Sequence, residues 1–140
     1  MRVRSMGLGV VALIVVVCAA ALLVACGGGS GGATIKATEA DNTKTLTAKV
    51  GDEVSVTLKE NPTTGYEWNM IAGPGLTAVS DEFIGPSSSP SPMIGAGGVH
   101  TWVYKVHQAG KLTLTGVYAR PWESESKSAA DFSLTVDAAQ

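Results

Sequence analysis

From Thr45 onward the chain alternates apolar and polar positions with a period of two. Leu46, Ala48 and Val50 alternate with Thr45, Thr47 and Lys49, and Gly51-Asp52 then supplies a turn. Val54, Val56 and Leu58 form a second series against Ser55, Thr57 and Lys59. Further series run through Tyr66, Trp68 and Met70, through Trp102, Tyr104 and Val106, through Leu112, Leu114 and Tyr118, and through Phe132, Leu134 and Val136. Successive side chains of a strand point to opposite faces, so each series reads as one half-buried strand. Six or seven short strands separated by turn signals predict an all-β domain, an immunoglobulin-like β-sandwich of about seven strands. Trp68, Trp102, Tyr104 and Phe132 fall in phase with the apolar positions and are expected in its core. Gly73-Pro74-Gly75 and the stretch from Gly85 to Pro92 break the alternation. Each proline removes a ladder donor, so the second stretch is expected as a loop or a poor edge strand.

The N-terminal residues follow a different pattern. Arg2 and Arg4 precede an almost continuously apolar run from Leu8 to Val24. Such a run reads as a secretory signal, and its length is near the lower limit for an uncleaved membrane anchor. Leu23-Val24-Ala25-Cys26 resembles a bacterial lipobox, in which small residues precede the cut and the cysteine receives the lipid. Gly27-Gly28-Gly29-Ser30-Gly31-Gly32 is a flexible tether. The expected organisation is a lipoprotein signal peptide over residues 1–25, lipidated Cys26 and its tether over 26–33, and one domain over 34–140. Residence in the cell envelope on the exported side follows, with the membrane as a partner through the lipid on Cys26. Cys18 would leave with the signal, so neither a disulfide nor a cysteine metal site is available to the mature chain.

Charge and chemistry narrow the function. Removing Arg2 and Arg4 leaves eight Lys and Arg against twelve Asp and Glu, a net charge of −4. No basic patch marks a nucleic-acid partner. The histidines, His100 and His107, are seven residues apart, which on one strand would place them on opposite faces. No nucleophile elbow or metal-spaced cluster is present, and Glu123 and Glu125 read as solvated surface. The sequence therefore predicts neither an enzyme nor a cofactor or metal site.

Three loop segments stand out instead. In Asn61-Pro62-Thr63-Thr64-Gly65, Pro62 fixes its own φ and pushes Asn61 towards extended geometry, while Gly65 admits conformations that a Cβ resists. A turn this stiff loses little entropy on binding. Met93-Ile94-Gly95-Ala96-Gly97-Gly98 is glycine-rich and leads into the Trp102 strand without the helix that a phosphate-binding loop needs. Arg120-Pro121-Trp122 follows the Tyr118 strand, and Arg and Trp are the side chains that dominate interface energetics.

In order, spacing and content these segments, extended by Tyr66-x-Trp68 and Tyr118, resemble the chagasin family of inhibitors of papain-like cysteine peptidases. The resemblance covers nearly all of the domain. It implies that the three loops meet at one end of the sandwich, between strands two and three, four and five, and six and seven. It also implies roles. Asn61, Pro62, Thr63, Thr64 and Gly65 would be a central wedge over the catalytic cysteine and histidine of the peptidase. Ile94, Gly95, Ala96, Gly97 and Gly98 would flank one side, and Arg120, Pro121 and Trp122 the other. The expected protein is a monomeric, lipid-anchored, reversible peptidase inhibitor. The alternative is a cell-surface binding or adhesion module with a non-peptidase partner.

Overall fold

The computed structural model describes residues 31–86, 95–123 and 127–140. The apolar run, the lipobox with Cys26, and Ile94 lie outside the described residues. Among the described residues no helix is long and apolar enough to cross a membrane.

Among the described residues eight strands build two four-stranded sheets: β1 (Thr34–Thr38), β2 (Thr45–Lys49), β3 (Glu53–Glu60), β4 (Glu67–Ala72), β5 (Leu76–Ile84), β6 (Gly98–Val106), β7 (Gly110–Ala119) and β8 (Ala130–Ala139). One sheet has the order β1-β3-β6-β5 and the other β2-β8-β7-β4. The predicted sandwich is present, with one strand beyond the expected seven. That strand is β1, which pairs in parallel with β3, from Thr34 opposite Glu53 to Thr38 opposite Thr57. Its partner across the fold, β2, pairs in parallel with β8. A short 3-10 turn over Glu39–Asp41 carries the chain between the two sheets. Both strands have only five residues, and each buries a single alanine, Ala37 or Ala48.

The core follows the alternation. Val54 and Val56 of β3 lie opposite Tyr104 and Trp102 of β6 in one sheet, and Leu58 and Val106 extend the same buried face. Leu112 and Leu114 of β7 and Phe132, Leu134 and Val136 of β8 close over them from the other. Trp68, Met70 and Ala72 of β4 are half-buried against this cluster. Val50 departs from the expected inward series: it sits in the turn after β2 and is 39% exposed. Gly51, with φ of 101°, reverses the chain there and breaks the strand phase before Val50 can turn inward. His107 likewise lies beyond β6 and is exposed, so the two histidines do not share a strand. The edge strand β5 was not visible as an alternation, because only its first residue, Leu76, is buried.

The two ends of the sandwich differ in their connections. At one end β2–β3, β4–β5 and β6–β7 are joined by three residues each. At the other, β3 and β4 are joined by six residues, and longer stretches that include undescribed residues separate β5 from β6 and β7 from β8. Long connections on a rigid scaffold are where binding residues collect. The described parts of all three motif segments lie at this second end, as the resemblance implied; counted from β1, they follow the third, fifth and seventh strands.

Candidate functional site

The first loop is a tightly internally bonded turn. Asn61 has φ −130° and ψ 84°, outside the helical region as Pro62 requires. Pro62–Thr64 make one 3-10 turn, closed by the Thr64 N–H to the Asn61 carbonyl at 3.1 Å and the Gly65 N–H to the Pro62 carbonyl at 2.9 Å. Gly65 ends the turn in the left-handed region at φ 79°. The Thr64 hydroxyl donates to the Asn61 carbonyl at 2.7 Å, and the Thr63 hydroxyl to Asn61 Oδ1 at 2.6 Å. Both threonines and Pro62 are exposed, so the turn presents a rigid polar tip. Its base is fixed by the Asn61 N–H, which donates to the Tyr118 hydroxyl of β7 at 3.0 Å. Tyr118 in turn packs against Tyr66 and Trp68, with ring centroids 5.4 and 5.0 Å away. The Trp68 indole donates to the Lys59 carbonyl at 2.9 Å and ties β4 to β3 beside the loop.

The second loop leans on one side of this turn. Asn61 Nδ2 donates to the Gly95 carbonyl at 3.0 Å. Gly95 has φ of 88°, and a Cβ on Gly97 would come within 2.9 Å of the Glu60 carbonyl oxygen. A Cβ on Gly98 would lie 2.3 Å from the Ile84 carbonyl oxygen. The glycines thus serve two purposes: one admits the turn, and two let the loop backbone press against its neighbours.

The third loop leans on the other side. Arg120 Nε donates to the Thr64 carbonyl at 3.1 Å, its guanidinium carbon lies 4.4 Å from the Tyr66 ring centroid, and Nη1 pairs with Glu123 Oε1 at 3.2 Å. The Trp122 ring crosses Gly65 so closely that a Cβ there would lie 2.3 Å from Trp122 Cη2. Trp122 is still 71% exposed. An indole that touches one glycine and shows most of its surface to solvent is a ready contact for a partner.

Of the residues singled out from the sequence, Asn61 to Gly65, Gly95 to Gly98 and Arg120 to Trp122 therefore converge on one surface. Ile94 is outside the described residues. Beneath that surface lies a group the sequence reading did not single out. Glu60, only 6% exposed, meets His100 Nδ1 at 2.7 Å, and His100 Nε2 hydrogen-bonds Asp81 Oδ1. The signal was available: Glu60 continues the inward series Val54, Val56, Leu58, and His100 precedes Trp102, Tyr104 and Val106 in phase. What the sequence does not carry is the register that sets Leu58 opposite His100. Among the described residues no cluster is arranged to hold a metal ion.

Comparison with known proteins agrees with this geometry. The profile of the chagasin family peptidase inhibitors, I42, matches residues 47–136. Chagasin from Trypanosoma cruzi is 32% identical over 109 residues, which is 74% of this chain and 96% of that protein. Amoebiasin-2 from Entamoeba histolytica is 31% identical over 86 residues, covering 61% of this chain and 70% of its relative. Among solved structures, the cysteine protease inhibitor EhICP2 from Entamoeba histolytica superposes with a TM-score of 0.69 at 26% identity, over 76% of this chain and 96% of that one. The solution structure of Amebosin gives a TM-score of 0.63 at 29% identity, over 78% and 100%. These solved relatives consist almost wholly of the matched sandwich. Its relatives are inhibitors rather than enzymes, and the chain belongs to the chagasin family of peptidase inhibitors.

Proposed function

We propose that this protein is a lipid-anchored, reversible inhibitor of papain-like cysteine peptidases that closes the active-site cleft with its three loops. The observation that carries this reading is the mutual bracing of the loops, in which the second and third grip opposite sides of the first through Asn61–Gly95 and Arg120–Thr64. Asn61 to Gly65 form the wedge, with Thr63 and Thr64 nearest the catalytic pair. Ile94 to Gly98 and Arg120 to Trp122 rest on the two walls of the cleft. A preformed surface of this kind binds without a large ordering cost, and a standard protease–inhibitor contact buries about 800 Å² on each partner.

The internal bonding also supports resistance to cleavage. Hydrolysis requires a carbonyl whose oxygen can settle among the donors of the peptidase and whose carbon meets the nucleophile in line. In the wedge the carbonyl oxygens of Asn61, Pro62 and Thr64 already accept hydrogen bonds from within the inhibitor. Presenting one of them for attack would mean breaking the turn.

Titration of papain with residues 31–140, using a small fluorogenic substrate, tests the reading. Tight inhibition with the domain recovered intact, lost when Asn61 to Gly65 become a glycine-serine loop, is the expected result. A folded domain that inhibits neither papain nor related peptidases would instead make this a surface binding module. The anchor rests on Cys26 and is tested separately: Cys26→Ser in the full chain should abolish lipid labelling and release the protein from membranes. An unchanged membrane fraction would overturn it.

A further inference from the structure

Glu60, His100 and Asp81 sit where the first two loops share a base. Glu60 immediately precedes Asn61; His100 is two residues beyond Gly98, where the second loop rejoins the sheet; Asp81 lies on β5, the strand that leads into that loop. His100 is sandwiched in apolar surroundings, stacked on Trp102 at 4.0 Å and met edge-on by Phe83 at 5.9 Å, with Leu58 opposite it on β3. Its two nitrogens face two carboxylates, Glu60 from β3 and Asp81 from β5. A neutral imidazole has one N–H and one lone pair, so only the imidazolium can donate to both. Burial works against that charge, but the hydrogen bonds to Asp81 and Glu60 outweigh it and raise the His100 pKa above its ordinary 6.5. Tyr104, the other titratable group of β6 near Asp81, has its phenol pushed up to about 12 by burial and then by Asp81, and stays neutral where histidine titrates. Tyr118, from the opposite sheet, shares the cavity beside Glu60 and directs its hydroxyl to Asn61.

We propose that His100 is a positioning residue for the first two loops: protonated, it clamps Glu60 and Asp81 together and holds the loops in the binding arrangement, and inhibition weakens as it loses its proton. The functional half of this rests on the inhibitor reading above; the clamp itself is a property of the free domain. The direction follows from linkage. A group with a raised native pKa contributes its full stabilisation below its ordinary value and loses it as pH rises through the native value. The two carboxylates respond differently when the proton leaves. The Glu60 side chain, 6% exposed, is sealed in and keeps the remaining N–H, whereas that of Asp81, 66% exposed, has water as an alternative partner. Asp81 therefore lets go first, and β5 loosens from β6 at the mouth of the second loop. Through Asn61 Nδ2 and the Gly95 carbonyl the change reaches the wedge.

The test follows the His100 ring and the Asn61 and Gly97 amides of residues 31–140 by NMR from about pH 5 to about pH 9, the span over which a perturbed histidine titrates. Both amides should move with His100, at a midpoint above its ordinary 6.5. A His100 midpoint at or below 6.5, or amides that ignore it, would overturn the clamp. In parallel, inhibition constants of the wild type and of His100→Gln are measured against one peptidase across the same range. Their ratio cancels the peptidase's own titration. It should favour the wild type at acid pH and change by about three- to tenfold as the competent fraction falls. A flat ratio with tight inhibition overturns the proposal and leaves the inhibitor reading standing. Absence of inhibition by both proteins removes that reading, and the NMR titration then decides the clamp alone. Should His100→Gln fail to fold, Asp81→Asn, on the exposed edge, must lower the His100 midpoint and flatten the same ratio.

Discussion

On its third-loop side the wedge is held by side chains that remain open to solvent; on its second-loop side it is held by backbone contacts set over a buried carboxylate and a half-buried histidine. Trp122 lies across Gly65 with 71% of its surface exposed, and Arg120 reaches the Thr64 carbonyl from half-buried ground. Opposite them, Gly97 and Gly98 press backbone on backbone, and Glu60 and His100 fill the space below. The first kind of support can also serve as contact surface, because its atoms are still available to a partner. Glu60 and His100, lying below the surface, can only fix shape. Substitutions on the two sides should therefore separate binding from stability.

The largest effect sharpens the exposed side. Trp122→Ala should cost roughly 2 kcal/mol or more of binding to a papain-like peptidase. Its thermal midpoint should stay near that of the wild type, because little of the ring is buried. An unchanged inhibition constant would remove the third loop from the contact. On the packed side, Gly98→Ala forces a Cβ against the Ile84 carbonyl and should cost about 1–3 kcal/mol of folding stability. For a domain of this size each 1 kcal/mol lowers Tm by about 4–8 °C, which a melting curve resolves. A variant that melts with the wild type would mean that β5 and β6 have slack at this point. Arg120→Ala comes next. Its partly exposed cation–π contact is worth about 0.5–1 kcal/mol, and the loss should appear mainly in the dissociation rate of the complex. The smallest effect is on Thr63→Ala, which should leave stability within about 0.5 kcal/mol and change inhibition more than stability. The reverse order would place Thr63 in the fold rather than in the contact.

Much of this architecture is legible in the sequence because the code of a sandwich is local. The series Val54-Val56-Leu58 and Phe132-Leu134-Val136 place their own strands, and Asn61-Pro62 and Gly65 announce their turn. The missing pieces are those whose information is non-local. β1 buries only Ala37 and exists by pairing with β3; β5 buries only Leu76 and exists by pairing with β6. The site shows the same division. Its loops could be read from composition, whereas the close fit of Trp122 on Gly65 spans nearly sixty residues and the Glu60–His100–Asp81 cluster needs three strands in register. An acidic residue and a histidine standing in phase with core positions were the one local sign that something polar had been built into the interior.

Hydrogen–deuterium exchange of residues 31–140, free and bound to a papain-like peptidase, tests the three-loop contact most directly. The contact requires joint protection of Asn61 to Gly65 except Pro62, of Gly95 to Gly98, and of Arg120 and Trp122. The tight turns at the opposite end, Val50 to Asp52 and His107 to Ala109, should exchange as before. Protection at those turns or along β5, with the three loops unchanged, would contradict it.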